Sequence, residues 1–230
     1  MRSLPTASEK PRFVAAMFGR IAGHYDLMNT VMTLGLDAGW RRAVAGSVGA
    51  PTRVLDVGTG TARLAQALTE AHPAAAVIGV DFSEPMLRAS ATPRTTPLAA
   101  ADALMLPFPD DSFDAVTSAF VVRNLADMRA GIAEQARVLR SGGSLVVLDT
   151  TPGPRNWLRP LSRLYFDRVV PLLGRLIAGD AAAYTYLPAS SAAFLEPDDL
   201  AQVLRAHGLQ NPTVRRLALG CVALVSARKR

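Results

Sequence analysis

The chain has 230 residues, 25 of them Lys or Arg and 19 Asp or Glu, for a net charge of +6, and half of it is hydrophobic. That length suits one domain with a full buried core, and no uninterrupted apolar run reaches the ~20 residues of a membrane-spanning helix. The single Cys221 excludes an internal disulfide and a cysteine metal cluster, and scattered arginines without a basic stripe interleaved by aromatics argue against nucleic-acid binding.

The first residues, MRSLPTASEKPRF, lack the apolar segment of a signal peptide. With the lone cysteine, this leads to an expectation of a cytoplasmic setting. Residues 1–12 are expected to be disordered and 13–230 to form a single domain. Residues 13–49 read as helical, with Phe13, Met17 and Ile21 at helical spacing and a second apolar group around Val44. They precede the first strand and are expected to cap a ligand cleft.

Strand one is expected at about 53–57, and a helix from near Thr61 to His72-Pro73. Strand two follows at about 76–81, and Ser83 is expected to N-cap a helix through Ser90, with Glu84 in its first turn. A short strand at about 97–101 comes after the loop TPRTTP, and a fourth strand runs from Phe113 to Phe120. A helix over about 127–140 is expected to stop at Ser141-Gly142-Gly143, which reads as a C-cap. Strand five is about 144–150. Residues 151–195 then break the alternation with an apolar, basic, proline-interrupted stretch that reads as a helical insertion. A helix at 197–207 and two antiparallel strands, 213–218 and 220–227, complete the chain. The β-α-β-α-β alternation predicts an α/β fold, a seven-stranded, mostly parallel, Rossmann-like sheet.

The chemistry concentrates in VLDVGTGTARL (54–64) and VIGVD (77–81). Each is an apolar run ending in an acid, and a glycine-rich turn follows the first. In open parallel sheets ligands bind outside the carboxyl ends of the strands. Gly58 permits a tight turn, and Gly60 lets backbone approach a ligand without an intervening Cβ. The dinucleotide pattern G-x-G-x-x-G is not met, because Ala62 and Arg63 stand where the third glycine would be sought. Asp56 at the mouth of strand one would repel a pyrophosphate but suits a cation. S-adenosylmethionine carries an ammonium and a sulfonium and no phosphate. Asp56 is expected to hold the ammonium directly or through water, Asp81 both ribose hydroxyls, and Asp102 the adenine amine. NAD is the runner-up cofactor, and the bland alternative has Asp56 and Asp81 capping helices.

Further residues bring in a resemblance. HYDLMN (24–29), GLDAGWRR (35–42), ALMLPFPDDSFDAVTSAFVVRN (103–124), RVLRSGGSLVVLD (137–149) and YFDRVVPLLGRLIAGDAAAYTYL (165–187) resemble the ubiquinone/menaquinone biosynthesis C-methyltransferases. The match runs from about residue 12 to near the end. It implies a class I methyltransferase fold, S-adenosylmethionine as donor and a polyprenylated quinol as acceptor, most readily demethylmenaquinol. The positions matching Thr61, Asp81, Asp102 and Ala103 are implied cofactor contacts, and Phe82 and Ala119 join them as expected neighbours. The chain departs from the family pattern at three places. Arg63 stands for the usual acid after the turn, Ala119 replaces a common serine, and Ser190-Ser191-Ala192-Ala193-Phe194-Leu195 replaces Ser-Ile-Arg-x-Phe-Pro.

For ring methylation, Arg123 and Asn124 fall just after strand four, at the carboxyl edge of the sheet. A guanidinium there would pair with the acceptor's oxyanion, and the amide would orient a hydroxyl. Arg123 cannot serve as the base, because its pKa exceeds about 12. Tyr25, in the cap, is expected to close over the site. No metal is expected. Arg155, Arg159, Arg163 and Arg168 admit two compatible readings of the insertion, a lid or a peripheral contact with the inner membrane face. A homodimer, methylation of another small lipid, and a non-catalytic cofactor-binding scaffold remain open at this point.

Overall fold

The computed structural model describes residues 4–90, 96–153, 157, 160, 164–178 and 180–230. Its centre is one seven-stranded sheet in the order β3-β2-β1-β4-β5-β7-β6. The strands are β1 Arg53–Val57, β2 Ala76–Asp81, β3 Leu98–Ala100, β4 Phe113–Ala119, β5 Leu139–Thr150, β6 Leu209–Leu217 and β7 Val222–Lys229. Neighbours pair in parallel from β3 through β5, and β7 runs antiparallel to both β5 and β6. The chain builds β1, β2 and β3 outward, then returns to lay β4 on the other side of β1. That reversal opens a crevice at the carboxyl ends of β1 and β4.

Strand alternation sorts the core. Leu55, Val57 and Val116 enter a cluster with Ile132, Val138 and Leu204 on one face, beneath α6 Met128–Val138 and α9 Pro197–Ala206. Val54, Ala115 and Val146 enter a second cluster with Val44, Leu64 and Leu68 on the other, beneath α3 Leu36–Ala45 and α4 Arg63–Ala71. Two-sided burial is why these strands read as apolar runs.

A third cluster builds the cap: Met17, Ile21, Met28, Val170, Tyr184 and Tyr186. It joins α1 Lys10–Ile21, a 3₁₀ turn Ala22–His24 and α2 Tyr25–Met32 to the segment after β5. There, π-helical turns Tyr165–Val169 and Gly174–Ala178 flank α7 Val170–Leu173, and α8 Ala181–Ala192 follows. Among the described residues no helix is long and apolar enough to cross a membrane.

Several boundaries differ from expectation. The first helix starts at Lys10, within the stretch expected to be disordered, with a proline at its first turn. Helix α4 starts at Arg63, because Ala62 is left-handed (φ 63°). Ser83 sits at the N-cap of α5 Glu84–Arg88, but its hydroxyl makes no capping bond. Ser141-Gly142-Gly143 is not a C-cap: α6 ends at Val138 and Leu139 is already extended. Leu139 pairs with Phe113 and Ser144 with Ala115, so residues 140–143 bulge from β5. A Cβ on Gly143 would stand 2.9 Å from the Asp114 carbonyl oxygen, so that bulge needs its glycine. Most of the TPRTTP loop, and Arg155, Arg159 and Arg163, lie outside the described residues.

Candidate active site

Gly58 turns the chain after β1 with φ +67°, and a Cβ there would stand 2.3 Å from Cγ2 of Val121. The turn thus lies directly against the corner that follows β4. Gly60 is also left-handed (φ +57°), and its Cβ would meet Cε of Met86 at 3.2 Å. The Thr59 amide donates to the Val80 carbonyl at 2.9 Å. The Gly60 and Ser83 amides donate to the two carboxylate oxygens of Asp81, each at 2.7 Å. The turn after β1 and the acid ending β2 are therefore one hydrogen-bonded unit.

Above this unit lies a cleft of about 900 Å³, counting the open space at its mouth. Gly58 and Gly60 form its base. Asp81, Phe82, Asp102 and Ala103 line one wall, and Ala119, Phe120 and Asn124 the other. Pro11, Val14, Ala15 and Phe18 form the roof, a single stripe of α1 at helical spacing, joined by Tyr25. The lining thus combines the acids Asp81 and Asp102 with the apolar stripe of α1.

Asp56 is 1% exposed and does not line the cleft. Its two oxygens accept from the hydroxyls of Thr59 at 2.7 Å and Thr117 at 2.9 Å. Burial above all, with some help from Asp81, pushes its pKa up to about 7. Of the two contacts expected with an ammonium, direct or through water, the buried position outside the lining leaves the indirect one, with Asp56 acting through the turn. Asp81 does line the cleft, and burial raises its pKa against the pull of its two amide donors. Asp102 lines the cleft too, and its Oδ1 accepts from the Leu104 amide at 2.9 Å. Thr61 is buried outside the lining, where its hydroxyl donates to Asp26 Oδ1 at 2.7 Å, tying the turn to α2.

Among the expected catalytic residues, Asn124 and Tyr25 line the cleft and Arg123 does not. The Arg123 guanidinium is 3% exposed and forms an ion pair through Nη1 with Asp149 Oδ1. Its backbone amide donates to Oδ2 of the same carboxylate at 3.1 Å. The guanidinium is thus paired and outside the cleft lining, not free as the expected oxyanion partner would be. It braces the turn that presents Asn124. Asn124 itself is fixed at both ends: Nδ2 donates to the Phe120 carbonyl at 2.9 Å, and Oδ1 accepts from the Tyr186 hydroxyl at 3.1 Å. Burial, foremost, raises the Tyr25 phenol, opposed by Asn29, Arg41 and Arg123.

Lys10, Asp149, Tyr186 and the buried Asp37–Arg41 pair had not been singled out from the sequence. Lys10 Nζ donates to the Arg123 carbonyl at 2.8 Å, and burial lowers its pKa, with Arg123 contributing. Its partner lies 113 residues along the chain, so no local pattern could have pointed to it. Asp149 had a visible signal, since it is the penultimate residue of β5 as Asp56 is of β1.

The residues fit S-adenosylmethionine on two observations of the cleft. The buried Ser83 hydroxyl lines it with no hydrogen-bond partner, and the space over Gly60 is one that a side chain would narrow. A match to the family model of the ubiE/COQ5 methyltransferases spans residues 6–229. The chain belongs to the ubiE/COQ5 methyltransferase family. It is therefore a methyltransferase whose donor is S-adenosylmethionine.

Curated relatives of this family member include two demethylmenaquinone methyltransferases. The Roseiflexus castenholzii protein is 42% identical over 232 residues, covering 99% of this chain and 98% of that relative. The Deinococcus radiodurans protein is 45% identical over 229 residues, covering 96% and 95%. Among solved structures, a SAM-dependent methyltransferase from Thermotoga maritima, titled a possible histamine N-methyltransferase, superposes with a TM-score of 0.70. It is 20% identical, with 94% of this chain and 99% of that one covered, a likeness that shows the fold alone.

Proposed function

We propose that the enzyme methylates a ring carbon of demethylmenaquinol, a prenylated naphthoquinol. The observation that carries this reading is identity above 40%, over nearly full length, to two demethylmenaquinone methyltransferases. The apolar α1 stripe opposite an acidic wall supports it, because a lipid acceptor needs an apolar end beside the charged donor's end. When bound, S-adenosylmethionine supplies an electrophilic methyl group.

In this reading Asp81 accepts from the ribose hydroxyls and Asp102 from the adenine amine. The negative charge of Asp81, with Asp56 behind it, favours a cation in the cleft. Asn124, held between Phe120 and Tyr186, orients a ring hydroxyl of the acceptor. Lys10 and the Arg123–Asp149 pair keep that amide in place. Tyr25 and the α1 stripe close the roof and exclude water. Holding the two reactants aligned can supply about 7–11 kcal/mol of the barrier in favourable cases. The acceptor's prenyl tail resides in a bilayer, so the enzyme works at a membrane surface.

The reading is tested by giving the purified enzyme labelled donor and a panel of demethylmenaquinol, a demethylated benzoquinol and a simple phenol. Label is expected on demethylmenaquinol and not on the phenol. Transfer to the phenol alone, or to none of the three, overturns the reading.

A further inference from the structure

The helical run 165–178 is two-faced. Tyr165, Val170, Leu173 and Ile177 turn inward to the cap cluster around Met17, Met28 and Tyr184. The outward face exposes Leu164 (57%), Leu172 (55%) and Leu176 (71%) at multiples of one helical turn. Arg168 and Arg175 are exposed among them. The face does not end with the helix. The Tyr165 hydroxyl donates to the Met32 carbonyl at 2.7 Å, and two residues later Leu34 stands 83% exposed.

Exposed leucines in this number mark a contact surface rather than ordinary scatter. The charge selects its partner. Three acids of the cap have partners away from this face: Asp26 with Thr61, Asp37 with the buried Arg41, and Asp180 with Arg20. Among the described side chains of the run, the exposed charges are the two guanidinium groups of Arg168 and Arg175, beside an apolar row, on a chain of net charge +6. Basic residues around an apolar helical stripe suit the interfacial plane of an anionic bilayer, leucines in the acyl boundary and arginines at the headgroups.

We infer that the face formed by Leu164, Arg168, Leu172, Arg175, Leu176 and Leu34 docks on an anionic lipid bilayer. This deepens the proposed function, since a bilayer is where a prenylated acceptor resides. The cap cluster lies under this face and holds α1, whose Val14 and Phe18 pack against the cluster and also line the cleft. Docking therefore sets the acceptor end of the cleft next to the lipid.

The test is flotation of the full chain with phosphatidylcholine vesicles, with and without phosphatidylglycerol. Binding is expected only with the anionic lipid and weakens with added salt. Arg168→Gln with Arg175→Gln is expected to weaken it about thirtyfold, each arginine near an anionic surface contributing about a factor of five. Leu172→Glu with Leu176→Glu is expected to abolish it while leaving donor affinity unchanged, which shows that the variant is folded. Failure of the wild type to bind anionic vesicles, or wild-type binding by the leucine variant, overturns the inference. So does a wild-type dimer that the leucine variant splits while vesicles go unbound, because the face then belongs to a second copy. Vesicle binding is read without acceptor, so intact binding with no methyl transfer to demethylmenaquinol refutes the proposed function alone.

Discussion

In the proposed reading Asp81 is the residue on which donor recognition turns. Both its oxygens already accept backbone amides from the two loops that frame the cleft, and the residue lines the cleft. Asp81→Ala removes the acceptor of the ribose and leaves two amides without partners. Donor affinity is expected to fall about a hundredfold, on the order of 3 kcal/mol for two hydrogen bonds to a charged group. Calorimetric titration measures it, and an unchanged affinity would contradict the assignment. Asp56 predicts a pH dependence. Its folded pKa of about 7 lies above the ordinary value near 3.9. The folded chain then holds the proton more tightly than the unfolded one. Stability from this group is present below pH ~4 and lost as pH rises toward ~7. A cation in the cleft favours the ionised form, so donor affinity is expected to rise through neutrality with release of a proton. Calorimetry in buffers of different ionisation enthalpy detects that proton, and Asp56→Asn is expected to flatten the profile. A flat wild-type profile would contradict this reading. Arg123 illustrates what residue types alone conceal. Its position at the carboxyl edge of the sheet was legible, but its partner Asp149 lies 26 residues on, so the guanidinium's availability was not.

At the scale of elements, the turn after β1 was legible because its glycines answer local needs. Gly58→Ala adds a left-handed penalty of roughly 1–2 kcal/mol to a methyl group 2.3 Å from Val121. Chemical denaturation is expected to show a loss of about 2–4 kcal/mol, an estimate that adds typical overpacking costs. Combining it with Val121→Ala is expected to recover part of the loss, by removing the collision but not the backbone penalty. No recovery would place the strain elsewhere. The bulge at 140–143 was misread as a helix end, because Ser-Gly-Gly serves equally for a C-cap and for close backbone approach to β4. The roof of the cleft was only half visible. Phe13, Met17 and Ile21 announced a helix, but the stripe that faces the ligand is Pro11, Val14, Ala15 and Phe18. Periodicity finds a helix's apolar sides without telling which neighbour each side meets.

At the scale of the whole molecule, the central strands are apolar runs buried on both faces, which is why their positions read well from sequence. The fold does not name the acceptor: its solved neighbours include a cyclase as well as methyltransferases. In the proposed reading, what selects the acceptor is the pairing of an acidic crevice with an apolar roof. The central claim is methyl transfer to carbon, and its most direct measurement uses donor labelled with ¹³C on the methyl group. Nuclear magnetic resonance of the product from demethylmenaquinol should show an aromatic C-methyl signal. An O-methyl signal, or unlabelled acceptor recovered alongside unconsumed donor, would contradict the account.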